Sequence, residues 1–314
     1  MLSHETDTAI QDGAAVVAES KTQPSMLSRK AVLASLNISQ WSARALDKQV
    51  TKETNVQHGA KADAGRYNKL LIDAKNLEPI QKIVSGARTA HLTLTMPWSD
   101  AGPRILPSQL VMKYMDTMRT ARTEFDAAAD QFAQDYPRLV QERISALGSM
   151  FKDSDYPSAR EIRKRFGFAV EVLPIAEASD FRVDVGESAA ADLLQQVRET
   201  MGRSMQSAMG DATARIIETV GRMAERLKAY KPAQGEEKAQ GVFRDSLVEN
   251  VRELAGLLPA FNLTGDARLS TVAERIRVQL CEFDAAQLRD SDNARAKVAA
   301  AADSILADVS AFMA

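Results

Sequence analysis

Two stretches of the chain, Ser108–Met150 and Ser188–Tyr230, each carry a long helical pattern and would run about 60 Å apiece at 1.5 Å per residue. No other feature limits the fold so strongly. A short β-rich segment separates them, so the expected class is mostly α (α+β). The expected shape is a long antiparallel, coiled-coil-like helical hairpin with a small β-hairpin or sheet element at its tip and a C-terminal helical domain. In the first stretch Val111, Tyr114, Met118, Ala121, Phe125, Ala128 and Phe132 follow at alternating spacings of three and four. Pro137 then predicts a kink or break near Tyr136, because proline removes a helical hydrogen bond and clashes with the preceding turn. The return stretch carries Leu194, Val197, Met201, Met205, Ala208, Ile216, Val220, Met223 and Leu227. Gly202, Gly210 and Gly221 each cost it roughly 1 kcal/mol relative to alanine, which predicts a close neighbour or local flexibility at those points. Methionines 112, 115 and 118 on one stretch and 201, 205 and 209 on the other fit a packed seam, with an adaptable binding surface as the alternative.

Before the first long helix, Ala31–Gln40 alternates as a strand with Val32, Ala34, Leu36 and Ile38 on one face. Ser39 or Ser42 is the expected cap of a helix running to about Val56 and ending near Gly59. Another helix is expected from about Leu77 to His91, entered through Pro79. Three prolines, a glycine and Trp98 make Leu92–Pro107 a loop or irregular hairpin. Between the long stretches, Ser158 and Glu161 fit a capping box for a short helix, Ser158–Arg165. Phe168–Leu173 and Phe181–Val185 then read as two strands of a hairpin, which Ala31–Gln40 can join. The polar run Pro232–Gly241 reads as a linker, followed by helices at Val242–Pro259, Leu269–Leu288 and Ala294–Met313. The expected organisation is an acidic disordered tail over 1–28, a helical hairpin domain with a small β element over 29–231, a linker over 232–241 and a helical bundle over 242–314.

Chemistry leaves little trace. The histidines are His4, His58 and His91, and no two have the spacing that sets two imidazoles on one helix face. Cys281 is the single cysteine, so neither an internal disulfide nor a thiolate metal site is available, and it reads as a small buried hydrophobe. Phosphate-binding glycine loops and a serine-nucleophile elbow are missing. No catalytic residue, metal or cofactor is therefore expected; a carboxylate-only magnesium site is the residual enzymatic possibility. No apolar run approaches the ~18 residues that span a bilayer, and the N-terminus lacks a basic-then-apolar signal pattern. These features point to a cytoplasmic protein without a membrane partner.

Charge distribution says more than net charge, which is −2. Between Arg29 and Arg88 stand eleven Lys/Arg against five Asp/Glu, a local balance of +6. A second basic knot, Arg160, Arg163, Lys164 and Arg165, falls on the expected short helix. Such clusters attract phosphate backbones, and they also occur as ordinary solvated faces. Tyr67, beside Arg66 and near Lys69, and Phe166 beside Arg165 are placed to stack on bases. Trp98, followed by Arg104 in a proline-bounded loop, is either a lid over the core or an anchor for a protein partner.

The strings Leu36-Asn-Ile-Ser-Gln-Trp41-Ser and Leu46-Asp-Lys-Gln-Val-Thr51, with Gly65-Arg-Tyr-Asn-Lys69, Pro97-Trp-Ser-Asp-Ala-Gly-Pro-Arg104 and Asp155-Tyr-Pro157…Arg165-Phe-Gly-Phe168, resemble a family of phage and prophage proteins known only as a domain of unknown function. The resemblance spans roughly residues 30–260 and implies a phage or prophage origin and a setting inside the host cell; it supplies no catalytic residues. The expected function is that of a non-enzymatic nucleic-acid-associated or assembly factor in phage DNA metabolism, using Arg66, Tyr67, Lys69, Arg160, Arg163, Lys164 and Arg165. The alternative is a protein-interaction module that binds and inhibits or redirects a host protein through Trp98 and Arg104. Partners are thus nucleic acid, or a host or phage protein, with a second copy of the chain left open because a helical seam closes equally well within or between chains.

Overall fold

The computed structural model describes residues 26–99, 102–175, 187–233 and 237–313. The expected tail, 1–28, lies outside them up to Ser25, while its last three residues begin a helix with Leu27 buried; the expected strand Phe181–Val185 also lies outside them. The chain is mostly α with a small antiparallel sheet. A short helix α1 (Met26–Lys30) leads into strand β1 (Ala31–Ser39), matching the expected strand. Two short strands, β2 (Arg44–Leu46) and β3 (Asn68–Leu70), flank helix α2 (Lys48–Gln57). Then come α3 (Glu78–Leu94), β4 (Met96–Pro97), β5 (Arg104–Pro107), the long α4 (Val111–Leu147), α5 (Ala159–Ile162) and β6 (Gly167–Pro174). Helix α6 (Glu187–Ala229) is followed by α7 (Ser246–Phe261), α8 (Ala267–Arg275), α9 (Ala285–Asp290) and α10 (Asp292–Met313).

Strand β1 is the spine of a four-stranded sheet ordered β4-β5-β1-β6. It pairs with β6 from Val32 opposite Pro174 to Ser39 opposite Gly167, and with β5 from Ala31 opposite Pro107 to Ala34 opposite Arg104. The sheet therefore begins beside the start of α4. Its far end is pinned where Phe166 meets Phe132, with ring centroids 5.4 Å apart, and Phe168 meets Phe125 at 5.6 Å. It lies along the flank of α4 and not at the tip of a hairpin. The two long helices are not each other's main support either: α4 packs chiefly on α3, whereas α6 packs chiefly on α10 and α7. The physical reason is visible in the faces. Tyr114, Met118, Phe125 and Phe132 make the expected seam on α4, but Ile80, Val84, Ala87 and Leu94 of α3 and the sheet fill its groove.

Helix α4 passes through Pro137 without a break in the helix, since Tyr136 and Leu139 on either side stay in the core and hold the turn. The glycines of α6 do not mark close approach: a Cβ built at Gly202, Gly210 or Gly221 meets nothing within 4 Å. The expected cap at Ser39 or Ser42 gives way to Asp47, because β2 occupies the intervening residues. Ser158 and Glu161 bond each other at 3.0 Å instead of forming the capping box. The expected helix Leu269–Leu288 divides into α8, a π-helical turn at Ile276–Leu280 and α9, which Asp284 and Gln287 cap reciprocally.

Two apolar clusters result. One joins the sheet, α3, α4, Ala208 and Ala212 of α6, and Leu257, Ala260 and Phe261 at the end of α7; the other joins Ile216, Val220, Met223 and Leu227 of α6 to the rest of α7 and to α8–α10. Arg215 sits at the junction. It donates to the carbonyls of Leu92, Thr93 and Thr95 at the C-terminal end of α3, at 2.7–3.0 Å, and lies over the Phe261 ring. A cation at the negative end of a helix is favourable twice over, through its hydrogen bonds and through the dipole. Among the described residues no helix is long and apolar enough to cross a membrane, and no group of three or more His, Cys, Asp or Glu is arranged to hold a metal ion.

Candidate nucleic-acid interface

The basic N-terminal region condenses into a small β2–α2–β3 unit. Strands β2 and β3 pair with Arg44 opposite Leu70 and Leu46 opposite Asn68, and α2 bridges them. Asp47 starts the helix, accepting from the amides of Gln49 and Val50 at 3.1 and 3.2 Å. The Val50 amide above all, aided by Lys152 and Lys69, holds this carboxyl below its usual range against the opposing effect of burial. Thr51 Oγ1 donates to the Asp47 carbonyl and accepts from the Tyr67 amide, fastening the helix to β3.

Lys69 lies inside this unit. It is 2% exposed, with Nζ 2.7 Å from Asp155, 3.6 Å from Asp47 and donating to the Met150 carbonyl. Arg143 of α4 donates to the Leu70 carbonyl at 2.9 Å and Tyr156 to the Leu71 carbonyl at 3.0 Å. The unit is thus clamped to the C-terminal end of α4 and the turn after it. Lys69, expected to face phosphate, is a structural cation. Its ammonium is enclosed by Asp47 and by Asp155 from beyond α4, a separation in sequence that no local pattern bridges.

The outward side is different. Arg44, Lys48, Lys52, Lys61 and Arg66 are exposed and form no ion pair among the described residues. The acids on the same surface are Glu53, already accepting from Gln49, and Asp63. Tyr67 is 41% exposed beside Arg66. Lys48 and Lys52 enter the local charge balance without standing out in it, although their spacing of four sets them on one face of α2.

The second knot divides in the same way. Arg163 bridges Asp126 and Asp130 of α4 at 2.9 and 2.5 Å and donates to the Phe166 carbonyl. Its hydrogen bond to Asp130 strengthens the guanidinium's hold on its proton. Phe166 is buried against Phe132, so it cannot stack on a base. Arg160, Lys164 and Arg165 remain exposed without ion pairs among the described residues. Both basic segments are tied to the C-terminal half of α4, and Trp41 reinforces that root by packing on Phe132 and Tyr136.

Trp98 and Arg104 stand apart from this surface. Trp98 is half-buried against the main core. Arg104 is folded back, its Nε donating to Thr95 Oγ1 at 2.7 Å, and burial depresses its pKa, with Asp211 opposing. Nearby, His91 Nδ1 and the Tyr114 hydroxyl are 2.9 Å apart in the core. Burial, with a smaller push from Arg104, lowers the imidazole to about 4; burial raises the phenol to about 12. The pair is walled in by the α3–α4 packing and serves that packing.

No curated protein and no solved structure matches the chain. A family profile described as "Protein of unknown function (DUF3150)" matches residues 29–241, from the start of the sheet through α6 and the turn that follows it. With more than half of its length covered, the chain belongs to the DUF3150 family.

Proposed function

We propose that this protein is a non-enzymatic factor that associates with nucleic acid through the outer side of the β2–α2–β3 unit, joined by Arg160, Lys164 and Arg165. The observation that carries the reading is the separation of cations into two classes. Lys69 and Arg163 are consumed in holding the surface together, while Arg44, Lys48, Lys52, Lys61 and Arg66 face solvent unpaired among the described residues. Unpaired surface cations on a rigidly held unit are suited to phosphate backbones, where release of condensed counterions drives binding. The setting we infer is phage DNA metabolism in the cytoplasm of a host cell, consistent with the family resemblance of the strings around Trp41, Tyr67 and Trp98.

The test is binding of single- and double-stranded DNA across a salt series. Engagement of all five cations would give a log–log salt slope of about −3.5 to −4.5. Reversing Lys48 and Arg66 to Glu should weaken binding and flatten that slope. Absence of any salt-sensitive binding at low ionic strength would end this reading. A second reading, capture of a host protein, draws on Leu92 at 52% and Met112 at 70% exposure, on α3 and α4. A stoichiometric partner that survives nuclease treatment of a host lysate would favour it.

A further inference from the structure

Between α2 and the 60–66 loop lies a pocket of about 620 Å³, within the ~300–1,000 Å³ typical of small-ligand sites. Its construction is specific. Lys48, Lys52, Asn55 and Val56 fall at helical spacing and present one face of α2 to it; Leu46 and Arg66 close two sides. Three cations thus surround an aliphatic wall, with Asp63 the one acid of the lining.

Asn55 is the key to the loop and to the chemistry. It is 6% exposed, and its Nδ2 donates to the carbonyls of Ala62 and Gly65 at 3.0 and 3.4 Å. Two carbonyl partners fix the orientation of the amide, because only the nitrogen can serve both. Its Oδ1 then receives no donor among the described residues. An alanine Cβ at Gly65 would come within 3.0 Å of that oxygen, so glycine keeps the loop close to it. An acceptor left open to solvent, in a cavity ringed by cations, suits a ligand that brings N–H groups and negative charge together.

We propose that this pocket receives one unpaired nucleotide of a DNA or RNA strand. Lys48, Lys52 and Arg66 hold the phosphate, Leu46 and Val56 pack on the base, and Asn55 Oδ1 accepts from a base N–H. The proposal rests on the nucleic-acid reading above and sharpens it to single strands: a duplex offers its phosphates to surface cations but keeps its base edges paired and stacked. A run of Asp or Glu satisfies the cations but has no flat ring to fill the cavity.

The test uses the full chain with fluorescent oligodeoxythymidine, oligouridine and a duplex of equal length, followed by anisotropy over a salt series. The expected result is at least tenfold tighter binding of a single strand than of the duplex at equal salt, the better of the two single strands assigning DNA or RNA. Lys52→Glu should weaken every probe and reduce the single-strand salt slope by at least ~0.7. Ala62→Leu, which extends an exposed loop side chain from the lining without altering charge, should bring single strand and duplex within twofold while leaving the salt slope unchanged. Thermal melting of each variant checks that the fold is intact; should Ala62→Leu unfold the loop, Val56→Ser, which removes aliphatic wall without altering charge at a position 70% exposed, takes its place. An unchanged single-strand preference in the folded lining variant overturns the pocket and leaves the broader interface standing. Equal binding of single strand and duplex by the wild type does the same. Salt-insensitive or absent binding of all probes overturns both. Displacement of oligothymidine by polyglutamate at equal charge concentration overturns the nucleotide in favour of an acidic protein segment.

Discussion

Replacing Lys69 with methionine keeps most of the aliphatic stem and removes the ammonium that joins the basic unit to the rest of the molecule. Three groups lose their partner: the Asp155 carboxylate at 2.7 Å, the Asp47 carboxylate at 3.6 Å and the Met150 carbonyl. Asp47 keeps the amides of Gln49 and Val50, so the main loss falls on Asp155. Breaking a buried pair by removing one partner costs about 3–5 kcal/mol. The low end applies because the Asp155 side chain is 24% exposed as a whole, although the oxygen facing Lys69 is itself buried. A loss of about 3 kcal/mol raises local opening of the unit by roughly 100-fold. Hydrogen exchange followed by mass spectrometry reads this directly: peptides covering β2 and β3 should exchange about 100-fold faster, while those from α7 and α10 should not change. Adding Asp155→Asn to Lys69→Met removes the stranded charge and should recover most of the protection. If Lys69→Met left exchange unaltered but weakened nucleic-acid binding as much as Arg66→Ala, the ammonium would be facing a ligand and the clamp would be wrong.

Three further outcomes follow from the packing. Burial holds His91 at about 4 against an ordinary 6.5, so across that window the unfolded chain takes up a proton that the folded chain refuses. Its contribution is complete above 6.5 and falls by about 3 kcal/mol as pH drops to 4; urea midpoints of wild type and His91→Gln at about pH 7 and about pH 4.5 should show the variant losing much less, and equal losses would remove His91 as the cause. Arg215→Lys keeps the charge but can reach few of the three carbonyls at the end of α3 and loses the planar contact with Phe261, so it should destabilise by about 2 kcal/mol in urea unfolding; a neutral result would refute the capping role. Gly202→Ala, Gly210→Ala and Gly221→Ala should each raise stability by about 0.5–1 kcal/mol, since the added methyl meets open space, and a fall in melting temperature would reveal a contact at that position.

What could be read in advance was periodic. The α4 seam and the α6 stripe announced themselves because one buried face imposes a spacing of three and four on consecutive residues; β1 was expected from its alternation, but its two buried residues, Ala31 and Ala34, lie on opposite faces, since the strand is central and packed on both sides. Which faces meet is a different kind of fact. The α4 seam suited α6 as well as it suited α3, and only the volume filled by Ile80, Val84, Ala87 and the sheet decided between them. The basic unit shows the same limit at the level of single residues. By composition every cation of a cluster looks alike, yet Lys69 is internal and Arg66 is exposed, because Asp155 and Met150 arrive from beyond α4, 81 residues away for the carbonyl contact. Lys48 and Lys52 were counted in the local balance and not singled out, although a spacing of four sets them on one helix face; Asn55 gave no advance sign, since its role depends on a loop closing over it.

The end of the family match at Gly241 does not coincide with the end of a physical unit. The backbones of Lys231 and Gln240 bond each other in both directions at 3.0 Å, which closes the turn after α6. Gly241 has φ +64, and a Cβ there would lie 2.3 Å from the Ala229 carbonyl oxygen, so only glycine allows the chain to double back so tightly. The stretch expected to act as a linker therefore ends in a fixed return that aims α7 along α6. Beyond it, Val248, Val251, Leu258, Ile276, Val298 and Ile305 cover the face formed by Ile216, Val220, Met223 and Leu227. A chain ending at Gly241 would leave that face of α6 in water and would deprive Arg215 of Phe261. Because Arg215 also closes the end of α3, the loss would reach the packing of α3 on α4, and through α4 the support on which the basic unit stands. The C-terminal helices thus bear on the first core in two ways, through Arg215 at the end of α3 and directly through Leu257, Ala260 and Phe261 of α7.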